Sequence, residues 1–204
     1  MIPTLLVGDY LFVSKYSYGF SKYSLPFSIV PFSGRILLQP PEVGDVVVFR
    51  TPSDTRVDFI KRVVGLPGDR VQVVGGILQL NGVPVKRKLV GTYVDAGGNG
   101  AGSEFREYIE TLPNGRQHKI REYSDSEKND NTELYIVPPN HIFVMGDNRD
   151  NSSDSRILNG VGYIPFENLI GRARIIFFSV DYSELGFLNV FSAVRWNRIF
   201  EIVE

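Results

Sequence analysis

The stretch DFIKRVVGLPGDRVQVVGGILQLNG, from Asp58 to Gly82, reads as three β-strands in succession. Its apolar runs are short and rich in Val, Ile and Leu. They are cut by Leu66-Pro67-Gly68-Asp69, Gly75-Gly76 and Asn81-Gly82, each a turn signal. The pattern predicts a β-meander. In its first strand the two-residue period puts Phe59 and Lys61 on one face and Ile60 on the other, so a lysine stands inside an apolar strand.

Working outward, VGDVVVFRTP (43–52) is a strand led in by Gly44-Asp45, and Leu5 to Val13 is another, interrupted at Gly8-Asp9. Strands resume at LYIVPPNHIFVMGDN (134–148) and LIGRARIIFFSVD (169–181). Between Lys86 and Thr132 the chain turns polar and glycine-rich, apart from two strand-like arms around Pro113-Asn114-Gly115, a hairpin signal. The expected fold is mainly β. An antiparallel, coiled catalytic core occupies 1–82 and 134–184, a smaller β subdomain is inserted at 83–133, and the tail, 185–204, has apolar spacing compatible with a helix.

Composition narrows the chemistry. In 204 residues, 22 basic and 23 acidic side chains leave a net charge of -1, and nothing asks for nucleic acid as a partner. No cysteine is present, which excludes disulfides, thiolate metal sites and a cysteine nucleophile. No run reaches the ~18 apolar residues of a membrane-spanning helix, and no signal-peptide pattern opens the chain. His118 and His141 lie in no metal-ligand spacing and read as surface or turn residues, and neither a G-x-S-x-G elbow nor a phosphate-binding loop occurs.

Two stretches stand out. GDNRDNSSDSR (146–156) packs three aspartates, two arginines and three serines directly behind an apolar strand. Such a run is most simply a solvated turn, but it can also close into a self-satisfied network that holds one partner in place. Lys61 has two readings as well. It snorkels to water, or it is buried and supplies a neutral amine that serves as a general base for a serine hydroxyl.

IPTLLVGD, VGDVVVF, FIKRVVGLPGD and GDNRDNSSDSR, in this order, resemble the boxes of bacterial type I signal peptidases, membrane-bound serine endopeptidases that remove signal peptides from exported preproteins. The resemblance runs from Met1 to about Asp181. It implies that Lys61 is the general base and that Ser152 orients its amine. Salt bridges Asp147 with Arg149 and Asp154 with Arg156 would stand behind them, and Met1, Leu5, Phe59 and Ile60 would line the substrate pockets. It implies no metal and no cofactor. The partners would be preproteins, bound as an added strand beside the lysine strand, and the lipid surface. The enzyme would be a monomer at the bacterial cytoplasmic membrane, its catalytic domain on the outer face.

In that family a serine directly before M-x-P-T-L is the nucleophile, and this sequence begins at Met1. The expectation is therefore that the nucleophile and the membrane anchor lie upstream of the chain as written, which would itself be inactive. The alternatives are an inactive β-domain that binds extended peptides or a partner protein, and a self-cleaving repressor, which would need a DNA-binding domain and a scissile loop. An aromatic loop, with Phe20, Phe27, Ile29 and Phe32, has two readings, folded onto the core or dipping into the bilayer surface, and Trp196 with Arg195 and Arg198 could add an interfacial contact.

Overall fold

The computed structural model describes residues 1–21, 34–94, 102–183 and 191–203. In chain order the strands are β1 (Asp9–Ser14), β2 (Phe20–Ser21), β3 (Arg35–Ile36), β4 (Val46–Arg50) and β5 (Asp58–Gly65). Then come β6 (Arg70–Val74), β7 (Ile77–Leu80), β8 (Val83–Pro84), β9 (Lys86–Val94) and β10 (Glu104–Thr111). The last five are β11 (Gln117–Glu122), β12 (Tyr135–Ile136), β13 (His141–Met145), β14 (Ile164–Pro165) and β15 (Leu169–Ser179). The fold is mainly β, as expected, with every pairing between these strands antiparallel.

A six-stranded sheet runs β1-β15-β4-β5-β13-β14. Its centre is buried on both faces, which explains the unbroken apolar run of β4. Val46 enters a core with Leu5, Ala173, Ile176 and Val203, while Val47 and Phe49 enter another with Val63, Val144 and Leu169. β5 touches three cores at once, through Phe59 and Val63, through Val64, and through Ile60. A strand gripped from so many sides holds its side chains in fixed positions.

The continuous meander does not form. β5 belongs to the six-stranded sheet, whereas β6, β7 and β8 join β12 in a separate sheet ordered β12-β6-β7-β8. The Leu66–Asp69 turn redirects the chain. Asp69 accepts the Leu66 amide at 2.8 Å, and Gly68 N–H donates to the Val137 carbonyl at 2.9 Å, which ties the turn to the neighbourhood of β12. At Gly65 the layers come too close for a side chain, since a Cβ would lie 2.7 Å from Val71 Cγ2.

β9, β10 and β11 make a third sheet, with β10 and β11 closing the expected hairpin. This sheet is locked to the rest. Arg121 N–H donates to the Asp147 carbonyl at 2.8 Å, Arg149 N–H to the Arg121 carbonyl at 2.9 Å, and the Asn114 amide reaches the Val43 carbonyl at 2.7 Å.

Over residues 191–203, the described part of the tail, the expected helix is not found. That part holds a 3-10 turn at Trp196–Arg198 and otherwise bonds to strand backbone. Ile176 N–H donates to the Glu201 carbonyl, Phe200 N–H to Ile176 and Val203 N–H to Arg174. Unpaired backbone groups of β15 offered these bonds, and they outweigh a weak helical pattern.

Candidate active site

Because side chains alternate along β5, Lys61 and Arg62 leave it on opposite faces. Lys61 Nζ donates to Ser152 Oγ at 3.0 Å. The Ser152 hydroxyl is also hydrogen-bonded to Asp154, a buried carboxylate that accepts Gly146 N–H at 3.0 Å and a two-point grip from Arg156 at 2.9 Å for each bond. Burial lowers the Lys61 pKa, against the upward pull of Asp154 and Asp147. The amine is thus drawn toward its neutral form and held by one directed hydrogen bond. Gly146 makes this possible, since a Cβ there would lie 2.2 Å from Ser152 Oγ and 3.5 Å from Lys61 Nζ.

The expected Asp147–Arg149 salt bridge is replaced by two others. Asp147 pairs with Arg62, through Nε to Oδ1 at 2.9 Å and Nη2 to Oδ2 at 2.9 Å, and Thr4 Oγ1 donates to the same carboxylate. Arg149 instead takes Glu110 from β10, with Nη1 to Oε1 at 2.9 Å. Asn148 bridges to Arg121, which bonds the Asp147 carbonyl and the Arg149 amide on either side of it, and the bends at 147 and 149 let the two side chains meet different elements. His118 is no surface residue. It is buried, with Nε2 3.2 Å from Glu110 Oε2, and burial lowers its pKa. His141 is half-buried at the start of β13, directly after the Pro139-Asn140 turn, its Nδ1 2.8 Å from the Pro139 carbonyl oxygen.

Met1, Leu5 and Ile60 pack into one core, and Phe59 packs into another across the sheet. The four residues expected to line the substrate pockets thus fall on two faces of the sheet. The two edges of β5 are paired unequally. β13 pairs only with its second half, from Arg62 to Gly65, while β4 pairs from Asp58 through Arg62. Among the described residues no strand pairs with the β13 side of Asp58–Lys61, which leaves an open half-edge ending at the lysine. No group of three or more His, Cys, Asp or Glu residues that could hold a metal ion occurs among the described residues.

The chain matches the family model for signal peptidase, peptidase S26, over residues 1–178. It is 40% identical over 220 residues to signal peptidase I of Rickettsia typhi, covering 98% of this chain and 81% of that one. With signal peptidase I of Rickettsia canadensis it shares 41% identity over 219 residues, 98% of this chain and 80% of the relative. The chain belongs to the signal peptidase I family. A crystal structure of a signal peptidase I from Enterococcus faecalis is 22% identical and aligns with 66% of this chain and 97% of its own, at a TM-score of 0.38.

Signal peptidase I is a serine endopeptidase that acts on preproteins bearing signal peptides, and this chain is one of its family. Four residues around its lysine went unremarked in the sequence reading: Thr4, Arg62, Glu110 and Gly146. Arg62 could have been found there, since a second cation directly after Lys61 in an apolar strand must point to the opposite face and be paired. Glu110 carries no such mark.

Proposed function

We propose that Lys61 is the general base of this signal peptidase, that Ser152 orients it, and that a serine joined before Met1 would supply the nucleophilic hydroxyl. The observation that carries this reading is the 3.0 Å bond from Lys61 Nζ to Ser152 Oγ at the end of an open strand edge. The Met1 nitrogen supports it, lying in a buried position within electrostatic reach of Lys61. Neutral Lys61 takes the hydroxyl proton as the oxygen attacks the scissile carbonyl, then gives that proton to the departing amine. Lys61 next takes a proton from water as the water oxygen attacks the ester carbonyl. It returns that proton to the serine oxygen as the ester bond breaks and the acyl group leaves as a carboxylic acid. Substrate adds as a strand along Asp58–Lys61, with Met1, Leu5 and Ile60 beside the lysine and Phe59 farther along the edge. In this reading residues 83–133 are an insertion into a core of 1–82 and 134–184, and the insertion braces the Ser152 loop through Arg149.

Joining a serine to Met1 tests the reading. A chain so extended is expected to cleave a preprotein at its signal-peptide junction, and one extended by alanine is not. A folded serine-extended chain that binds the preprotein without cutting it would instead establish the inactive peptide-binding domain.

The same reading places the enzyme at the outer face of the bacterial cytoplasmic membrane. No helix among the described residues is long and apolar enough to cross a membrane. A surface contact is supported by an exposed aromatic group on β1 and β15, where Phe12 lies 4.6 Å from Phe177 and Tyr10 lies 5.9 Å from Phe178, between centroids. Exposed Lys15 and Arg174 flank it, a combination suited to an anionic bilayer surface. Of the loop residues that could dip there, Phe20 is exposed, and Phe27, Ile29 and Phe32 lie outside the described residues. Trp196 is exposed, but Arg195 and Arg198 turn inward, Arg195 to the Val180 carbonyl and Arg198 to Asp9 and the Thr4 carbonyl. Sedimentation with anionic vesicles is expected to fall several-fold when Phe12 and Phe177 become serine. Unchanged sedimentation would remove this surface from the reading.

A further inference from the structure

One residue of the GDNRDNSSDSR loop has no part in the chemistry above. Asp150 Oδ2 accepts the amides of Tyr123, at 2.6 Å, and Ser124, at 3.1 Å, just beyond β11. Its Oδ1 is shielded from solvent and meets no donor. Asp130 is arranged in the same way. It is buried, its Oδ2 accepts the Glu127 amide at 2.6 Å, and its Oδ1 has no donor. The two side chains are in hydrogen-bonding contact with each other. Two carboxylates can make such a contact only if one of them keeps a proton.

We propose that Asp130 keeps a proton and donates it to Asp150, and that this proton bridge positions the loop carrying Ser152 against the segment 123–131. Asp130 is thereby a positioning residue for the Lys61–Ser152 pair. Burial, reinforced by Asp150, pushes the Asp130 carboxyl up to about 6, and Arg156 opposes the shift. Arg156 belongs to the same assembly, gripping Asp154 on one side and reaching toward the Asn129 carbonyl at 3.5 Å on the other. The other charged neighbours lie on the side of Asp150. Glu122 ends β11 with Oε2 on Arg87 and Oε1 without a donor, and its carboxyl is raised to about 7 by burial. Arg149 and Asp125 also act on Glu122.

The sign follows from proton counting. Between about pH 4 and 6 the folded chain keeps a proton at this pair that the unfolded chain releases, so stability falls as pH rises through that window. Once the proton is gone the two carboxylates repel, and the tie of the loop to 123–131 weakens to the Tyr123 and Ser124 amides on Asp150 and the Arg156 reach to Asn129. Asp130→Asn replaces the titrating proton with a permanent N–H donor to Asp150.

The test needs no catalysis, so it is independent of the nucleophile assignment, although the positioning role rests on Ser152 orienting Lys61. Thermal unfolding of the chain is followed from pH 4.5 to 8.5. The unmodified chain is expected to lose about 5 °C of Tm relative to Asp130→Asn as pH rises from 5 to 8. Nuclear magnetic resonance of Lys61 Cε is expected to show an extra inflection near pH 6 that Asp130→Asn removes and Glu122→Gln keeps. Parallel Tm profiles for the unmodified chain and Asp130→Asn would overturn the proton bridge. An inflection removed by Glu122→Gln and kept by Asp130→Asn would place the proton elsewhere and overturn the proposal equally.

Discussion

In the chain extended by a serine before Met1, Lys61→Ala is expected to lower kcat/KM for a preprotein by about 10³-fold or more, the scale of a lost general base. Lys61→Arg should lose as much, because a guanidinium keeps the charge and the reach but does not give up its proton near neutral pH. This variant separates basicity from charge: retained cleavage in Lys61→Arg would end the general-base assignment. The pH profile carries the same information. Catalysis needs the neutral amine, so activity rises with pH as Lys61 deprotonates. Burial brings that rise below the 10.5 of a free lysine, although Asp154 and Asp147 hold it back. Removing the Asp154 charge as Asp154→Asn should therefore move the rise to still lower pH, provided the loop stays folded. Stability provides the control. Lys61 is lowered in the folded state, so at neutral pH folding costs free energy that an apolar side chain would not demand. Lys61→Met should melt no lower than the unmodified chain, and an inactive but stable variant excludes unfolding as the cause.

The parts of this site that were legible in the sequence are those set by short-range rules. The two-residue period of FIKRVV fixed the face on which Lys61 stands relative to Phe59 and Ile60, and the packing of Phe59 with Val63 and of Ile60 with Leu5 follows it. The resemblance named Ser152, whose Oγ lies 3.0 Å from Lys61 Nζ. Long-range pairings were not legible. Arg62 and Asp147 are 85 residues apart, and the resemblance had paired Asp147 with Arg149, two residues away. Glu110 lies on a strand whose alternation was plain, but nothing local says which cation the inserted sheet will meet. The meander failed for the same reason: turn residues mark where a strand stops, while which sheet receives the next strand depends on edges contributed by β12 and β13, far along the chain. In the tail, apolar spacing suited a helix, and the competing backbone partners on β15 were invisible.

Asp147→Ala is expected to be the most damaging change to stability, about 3–5 kcal/mol by urea unfolding. Arg62 and Asp147 are each 1% exposed, so deleting the carboxylate strands a guanidinium where water cannot reach it. Replacing both residues with apolar side chains, as in Arg62→Met with Asp147→Leu, removes the stranded charge and should recover most of the loss. The double-mutant cycle for 62 and 147 should thus give a coupling above about 2 kcal/mol, and the cycle for 147 and 149 a much smaller one. A larger coupling between 147 and 149 would restore the partnership that the sequence suggests. The acid limb gives an independent check. Burial alone would raise the Asp147 carboxyl, but the Arg62 charge and hydrogen bonds outweigh it and the pKa falls below 3.8. A depressed carboxylate contributes stability that is fully present above its unfolded pKa and is lost as pH falls toward the folded one. The unmodified chain should therefore lose stability steeply below about pH 4, and the apolar double variant should lose less over that range. Since Thr4 also donates to Asp147, the same acid step loosens the turn that follows Met1, and activity should fail there together with the fold.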